Sequence, residues 1–290
     1  MEYLFLAASV LMTAAKSLMT KSLSRFTSRL GAFGLVNTFI SAAALMCIII
    51  FTLIRGEDSA SIKTALLGLA FAVFTFTAQL CYMRAMAGGK VSSVAFFYSC
   101  GFLIPTIAGF FIWQERLSVI GIMGIILLIP ALWLCGSNGS DNQAKNSSWI
   151  IWALFATLSS GMLGLIQKFH QTSEVKDELG AFLVISMSAT MLISFVIALG
   201  GRTLRSDSGE LGRRGISLSL LCGLIVGAEN IINLMLTGII PAVIFFPVFN
   251  GGVIVMSAAA AWVFRGEKLS LRTMLGILCG IVGILLVALK

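Results

Sequence analysis

Residues 33–54 read FGLVNTFISAAALMCIIIFTLI, an apolar run without a charged side chain. A helix of about 20 residues covers the roughly 30 Å of hydrocarbon in a bilayer, so this run predicts a membrane-spanning helix. Nine other apolar runs of similar length meet the same criterion. The ten predicted spans are 3–22, 33–54, 64–85, 91–112, 119–136, 149–170, 179–200, 216–238, 242–264 and 271–289.

The composition excludes several classes of protein. Of the 290 residues, 58% are hydrophobic and 11% are charged, whereas soluble domains have about 45–50% apolar and about 25% charged residues. A soluble enzyme, a disordered chain and a nucleic-acid-binding domain are therefore excluded. The net charge of +8 comes from basic residues in the short gaps between apolar runs, which is typical of loops beside lipid headgroups. We predict a multi-pass protein of the cell (plasma or inner) membrane, with the bilayer as partner and no nucleic acid.

The two halves of the chain resemble each other. Residues 30–33 and 179–182 both read LGAF, at the starts of the second and seventh spans. Residues 115–118 read ERLS and residues 267–270 read EKLS, ahead of the fifth and tenth spans. Because each half holds five spans, an odd number, the halves must cross the membrane in opposite senses. Inverted repeats of this kind are typical of secondary transporters.

The sequence therefore predicts an all-α polytopic membrane protein of ten transmembrane helices, built as two inverted five-helix repeats. The predicted modules are residues 1–145 and 146–290. The repeat also pairs Lys21 in the first span with Lys168 in the sixth. Loop charge places the termini outside, since thirteen basic residues fall on the opposite face and six on the terminal face.

Polar side chains form stripes along eight of the ten spans. Polar groups in lipid face the protein interior or a wet cavity, because hydrocarbon cannot hydrogen-bond them. The fifth and tenth spans lack such a stripe, so we expect them at the periphery and expect spans 1–4 and 6–9 to surround a cavity. For any single Ser, Thr or Asn, a hydrogen bond between helices is the alternative. The predicted substrate-binding residues are Lys16, Asn37, Gln79, Tyr82, Tyr98, Gln167, Glu229, Asn230, Asn233 and Asn250.

Two charged residues, Lys16 and Glu229, lie well inside spans. An exposed charge at the bilayer centre costs about 2.5–3.5 kcal/mol or more. The functional interpretation is a substrate or proton site, in which Glu229 binds a cation or a coupling proton and Lys16 meets a carboxylate or phosphate. The alternatives are that the two neutralise each other as an ion pair, or that Lys16 reaches a membrane surface.

Two spans contain helix-breaking residues at equivalent positions. The fourth has Tyr98 to Gly101 followed by Pro105, and the ninth has Pro247 followed by Asn250 to Gly252. Interrupted helices at matching places of two repeats point to a transporter's binding site. The alternative is close helix packing through small residues.

The remaining reactive residue types indicate no catalytic or metal site. The six cysteines lie inside apolar runs without metal-ligand spacing, and the single histidine, His170, is interpreted as interfacial. Glu115 and Glu267 precede Ser118 and Ser270, so we interpret them as parts of helix starts. No ATP-binding motif is present, and we expect no cofactor and no enzymatic activity.

These features together resemble the EamA-like branch of the drug/metabolite transporter (DMT) superfamily. The resemblance rests on the ten-span duplication, the E-[RK]-L-S loops and the glycine-rich helices that follow them. It implies a basket of ten helices, with spans 5 and 10 outside a central cavity, that exports or exchanges small metabolites. It also implies cytoplasmic termini, the opposite of what the loop charges indicate.

We therefore predict a secondary active transporter of a small polar or amphipathic metabolite that works by alternating access. As an exporter or exchanger it would be driven by a proton or by the substrate gradient, and a homodimer is the candidate assembly. The alternative within transport is a flippase of a lipid-linked small molecule. An intramembrane enzyme would need a catalytic cluster that the sequence lacks, and a receptor or scaffold would need a larger loop or domain.

Overall fold

The computed structural model describes residues 2–27, 29–56, 60–89, 91–116, 118–136, 148–200, 208–265 and 270–288. Within these ranges the chain is helical and contains no strand. The helices are α1 (Glu2–Leu23), α2 (Leu30–Arg55), α3 (Ile62–Gly88), α4 (Val91–Ser99), α5 (Leu103–Phe111), α6 (Val119–Gly136), α7 (Ser148–Gln171), α8 (Leu179–Gly200), α9 (Ser208–Ile239), α10 (Ala242–Arg265) and α11 (Leu271–Ala288).

The helices fit a protein that crosses a membrane several times. Over the described residues, eight helical segments are long and apolar enough to span a bilayer, with α4 and α5 counting together as one. The apolar parts of α6 and α11, Val119–Ala131 and Met274–Val287, are shorter. They coincide with the fifth and tenth predicted spans. The membrane-protein class is thus confirmed, whereas the count of ten spans stays a prediction.

The fourth predicted span is broken, as its sequence indicated. A 3-10 turn at Cys100–Phe102 separates α4 from α5, and Pro105 then lies in the first turn of α5, where its missing N–H is tolerated. The prediction of a matching break in the ninth span is wrong. Pro247 lies inside α10, which continues through Asn250 to Arg265.

Close helix packing holds the centre of the molecule together. A Cβ added to Gly34 of α2 would lie 2.7 Å from the carbonyl oxygen of Ser194 on α8, and one added to Gly223 of α9 would lie 2.2 Å from that of Ile40. Such backbone contact between small residues stabilises helices in lipid, where apolar burial between helices gains little. The outer faces carry exposed apolar side chains such as Ile54, which is 80% exposed. These faces suit contact with lipid.

The peripheral pair is formed by α6 and α11, which pack chiefly against each other. Gly124 of α6 lies so close to α11 that a Cβ there would be 2.7 Å from the carbonyl oxygen of Gly283. The other helices surround the interior that contains the candidate site.

Candidate functional site

A cavity opens among α1, α3, α4, α5, α7, α9 and α10. It encloses about 1230 Å³ of space free of protein atoms, part of which opens to the outside. Its wall is amphipathic, because hydroxyl, amide and charged groups alternate with aromatic rings. The polar residues that line it are Thr13, Lys16, Ser17, Thr20, Thr75, Gln79, Tyr82, Tyr98, Ser160, Gln167, Glu229, Asn230, Asn233 and Asn250.

An ion pair at the cavity wall joins α1 to α9. The Lys16 ammonium donates to both carboxylate oxygens of Glu229, at 2.8 and 2.7 Å. The two side chains are 20% and 9% exposed, so the pair is largely removed from solvent but still borders the cavity. Of the alternatives for these two residues, the geometry shows mutual neutralisation. A paired charge at a cavity wall can still exchange its partner with a bound molecule.

Hydroxyl groups and aromatic rings flank this ion pair. The Tyr82 hydroxyl donates to Ser17 Oγ at 2.9 Å, and the Tyr82 and Tyr98 rings lie 4.7 Å apart between centroids. Ser160 Oγ donates to the Tyr98 carbonyl oxygen at 2.8 Å. This carbonyl lies in the last turn of α4, beside the break in the fourth span, so that break lies next to the cavity.

Three asparagines contribute amides on the α9 and α10 side. Asn233 Oδ1 accepts from the Ser9 hydroxyl at 2.6 Å, which fixes α1 to α9. The amide nitrogens of Asn230 and Asn250 donate to carbonyls one turn earlier in their own helices, both at 2.9 Å. Both amides border the cavity.

Nine of the ten residues predicted to bind substrate line this one cavity. They are Lys16, Gln79, Tyr82, Tyr98, Gln167, Glu229, Asn230, Asn233 and Asn250. The structure thus brings together at one cavity most of the residues that the sequence singled out.

Asn37 is the exception, and its predicted place at the cavity is wrong. The Asn37 amide is fully buried where α2 meets α8 and donates to Ser194 Oγ at 2.7 Å. The helices α2 and α8 contact each other closely, so their polar stripes face one another rather than a void. Among the described residues of α2 only Ile40 lines the cavity, and α8 contributes none. The cavity is therefore lined by fewer helices than the eight that the sequence predicted.

Sequence reasoning missed the aromatic part of the wall. Phe71, Phe102, Phe245, Phe246 and Phe249 all line the cavity. Nothing in the sequence separates a phenylalanine that faces lipid from one that faces a cavity, because both surroundings accept an apolar ring. Ser17 was also missed, although it lies four residues after Thr13 on the same helix face.

A second ion pair lies outside the cavity lining, at the end of α7. Lys168 Nζ and Glu115 Oε1 are 2.9 Å apart, with side chains 6% and 13% exposed. Glu115 also accepts from the Val243 backbone N–H at 3.0 Å, at the start of α10. Glu115 thus serves a helix start, but that of α10 rather than α6. Ser118 caps α6 by accepting from Gly121 N at 3.1 Å, and Glu267 lies outside the described residues.

Lys21 and Lys168, paired by the sequence repeat, cap the ends of two helices. Lys21 donates to the carbonyl oxygens of Met86 and Gly89, at 2.5 and 2.6 Å, at the end of α3. Lys168 donates to those of Thr237 and Ile240, at 3.2 and 3.4 Å, at the end of α9. Cations at helix C-termini satisfy carbonyls that have no partner within the helix.

His170 and Glu178 lie near the same end of the molecule. His170 is fully buried rather than interfacial, and its ring centroid lies 4.4 Å from that of Phe182. Glu178, in the loop before α8, accepts from both the backbone N–H and the hydroxyl of Ser61, each at 2.8 Å. Hydrogen bonds from the Thr64 side chain first, and then from Ser61, hold the pKa of Glu178 below its usual value.

Comparison with known families adds a decisive observation, since residues 1–137 match the model of the EamA-like transporter family. Over these residues the chain matches the EamA-like family. The resemblance drawn from the sequence is thereby confirmed. EamA proteins fall within the drug/metabolite transporter superfamily, generally transport small molecules and are generally not enzymes.

The whole chain also shares its fold with a solved protein. That crystal structure is 13% identical to this chain, with a TM-score of 0.63, and the match covers 97% of this chain and 98% of the other. At this identity the likeness shows the fold alone. No curated protein matches the chain.

Proposed function

We propose that this EamA-like protein is a secondary active transporter, an exporter or exchanger, in the cell (plasma or inner) membrane. It would carry a small polar or amphipathic metabolite by alternating access. The observation that carries the proposal is the amphipathic cavity whose ion pair takes Lys16 from the first half of the chain and Glu229 from the second. A site built from both halves can be exposed to either face when the halves rock against each other.

We further propose that the chain is two inverted five-helix modules, residues 1–145 and 146–290. The helix contacts support this, because exchanging each span with its counterpart reproduces them. The counterparts are α1 and α7, α2 and α8, α3 and α9, and the pair α4–α5 and α10. The contact of α3 with α7 corresponds to that of α9 with α1, and the contact of α2 with α9 corresponds to that of α8 with α3. In the same way, the contact of α1 with α10 corresponds to that of α7 with α4 and α5. The equivalent capping roles of Lys21 and Lys168 give the same support from side chains.

Within this proposal, Lys16 and Glu229 select the substrate's charge. In the structure the two charges neutralise each other. A substrate with an anionic group would take the place of Glu229 beside Lys16, and one with a cationic group would take the place of Lys16 beside Glu229. Glu229 is also the candidate site for a coupling proton. The amides of Gln79, Gln167, Asn230, Asn233 and Asn250 would hydrogen-bond the substrate, and the two tyrosines would contact its apolar part.

The test begins with finding a ligand, because substrate that binds only the native state raises the melting temperature. Purified protein is screened against labelled amino acids, nucleosides, sugar phosphates and quaternary amines. Each compound that stabilises the protein is then assayed for exchange across sealed proteoliposomes. We expect exchange to fall at least tenfold in Glu229→Gln and Lys16→Met, whereas Lys63→Met, at an exposed lysine in the first turn of α3, exchanges like the wild type.

Two results would argue against the proposal. One is a compound that binds in a Glu229-dependent manner but never crosses a sealed vesicle, which would indicate a receptor. The other is unchanged exchange and pH dependence in both cavity variants, which would remove the ion pair from the mechanism. Movement of a lipid-linked compound between leaflets would instead support a flippase.

A further inference from the structure

Arg84 on α3 is a cation within a membrane-spanning helix. Its Nε atom is buried without a hydrogen-bond partner, and among the described residues no carboxylate lies within ion-pair distance of its guanidinium group. Its neighbour is the Trp152 ring, whose centroid is 5.7 Å from the guanidinium carbon. Lys16, Lys21 and Lys168 differ, because each has a carboxylate or backbone carbonyls as partners.

The position of Arg84 corresponds to the headgroup region of a membrane. The residue lies four positions before the end of α3 at Gly88, which is about 6 Å along the axis at about 1.5 Å per residue. Two half-buried tryptophans, Trp149 and Trp152, lie in the first two turns of α7. Trp149 packs on Gly88, where an added Cβ would be 3.2 Å from Trp149 Cβ. Tryptophans of this kind concentrate where hydrocarbon meets headgroups.

A guanidinium group at this depth favours a phosphate partner. Unpaired charge is costly in the membrane, and guanidinium matches phosphate through two parallel N–H···O bonds. In a phospholipid bilayer, the lipid phosphate groups lie in this headgroup region. In a zwitterionic lipid the headgroup cation competes for the phosphate, whereas an anionic headgroup leaves a net negative charge for Arg84.

We propose that Arg84, Trp149 and Trp152 form a binding site for the headgroup phosphate of an anionic phospholipid. The phosphate is held by the Arg84 guanidinium, and the two indole rings border the glycerol and upper acyl region. Because α3 belongs to the first half of the chain and α7 to the second, a bound lipid touches both halves where they pack together. The site does not line the cavity, so the proposal is independent of what the protein transports.

The experiment measures lipid binding to the full chain in detergent by native mass spectrometry. Phosphatidylglycerol and phosphatidylcholine with identical acyl chains are titrated in parallel. We expect the wild type to bind one phosphatidylglycerol in preference to phosphatidylcholine. We expect Arg84→Gln to weaken that binding about tenfold, the size of one charge-assisted hydrogen bond, and Arg84→Lys to have an intermediate effect.

A matched control is Arg25→Gln, which removes an exposed arginine just after α1 and should leave the preference unchanged. Equal loss in Arg25→Gln and Arg84→Gln would overturn the proposal, since it would indicate a general charge effect. Displacement of the lipid by millimolar inorganic phosphate would overturn it in favour of a free-phosphate site. If Arg84→Gln does not fold, the wild type still decides: equal binding of the two lipids refutes an anionic-lipid site.

Discussion

Replacing Lys168 with methionine is expected to lower the free energy of unfolding by about 3–5 kcal/mol. Removing one member of a buried ion pair leaves the other charge buried and uncompensated, and losses of this size follow. The Lys168–Glu115 pair fits that case, with a separation of 2.9 Å and side chains only 6% and 13% exposed. Because Glu115 keeps its bond from the Val243 N–H, we expect a loss near the lower end.

A double-mutant cycle separates the ion pair from the packing around it. Glu115→Gln alone should also destabilise, because it leaves the Lys168 ammonium with only the carbonyls of Thr237 and Ile240. The double variant contains no uncompensated charge, so it should recover most of the loss. We expect a coupling energy of at least about 2 kcal/mol, within the range for residues in direct contact.

The assay is reversible unfolding in mixed micelles, titrated with SDS and followed by tryptophan fluorescence. Lys63→Met serves as the control, because Lys63 is exposed and its removal should change stability by less than about 0.5 kcal/mol. Additive losses in the cycle, or a Lys168→Met variant as stable as the control, would refute the reasoning that Lys168 and Glu115 stabilise the fold as an ion pair.

Two other predictions concern helix packing and the loop before α8. Gly101→Ala should destabilise by about 1–3 kcal/mol, because its Cβ would lie 2.0 Å from the Ser160 hydroxyl oxygen on α7. Gly200→Ala, whose Cβ would have no atom of the described residues within 4 Å, should be neutral or slightly stabilising. A thermal melt of each variant measures the two effects. Since Thr64 and Ser61 lower the pKa of Glu178 in the folded state, its contribution is present above the unfolded-state pKa and is lost as the pH falls through the folded value. Glu178→Gln should thus be less stable than the wild type at neutral pH, and the gap should close on acidification; a gap that persists in acid would contradict this.

Much of the cavity could be predicted because lipid penalises polar groups so strongly. Lys16 on the first span, and Glu229 and Asn233 on the eighth, belong to polar stripes at helical spacing within apolar runs. The only places for such groups are the protein interior or a wet void. A stripe says that a side chain avoids lipid, but not what it meets instead. Asn37 therefore met another helix, although its sequence pattern resembles that of the cavity residues.

The pairing of Lys168 with Glu115 could not be predicted. Lys168 meets Glu115 because the loop after α5 folds over the end of α7, and no local pattern encodes that meeting. The two proline-containing spans make a similar point. Pro105 lies in the first turn of a new helix after a glycine-bearing 3-10 turn, whereas Pro247 lies inside a continuous helix. A proline in the sequence therefore does not by itself decide whether a span is broken.

The long separation of Lys16 and Glu229 has a consequence for how the protein is made. The two residues are 213 positions apart in the chain, so the first helix enters the bilayer long before its counter-charge has been synthesised. Until α9 emerges, the ammonium group of α1 must stay near the membrane surface or beside the insertion machinery. We therefore expect the first helix to reach its final position late in biogenesis, after the second half of the polypeptide has been inserted.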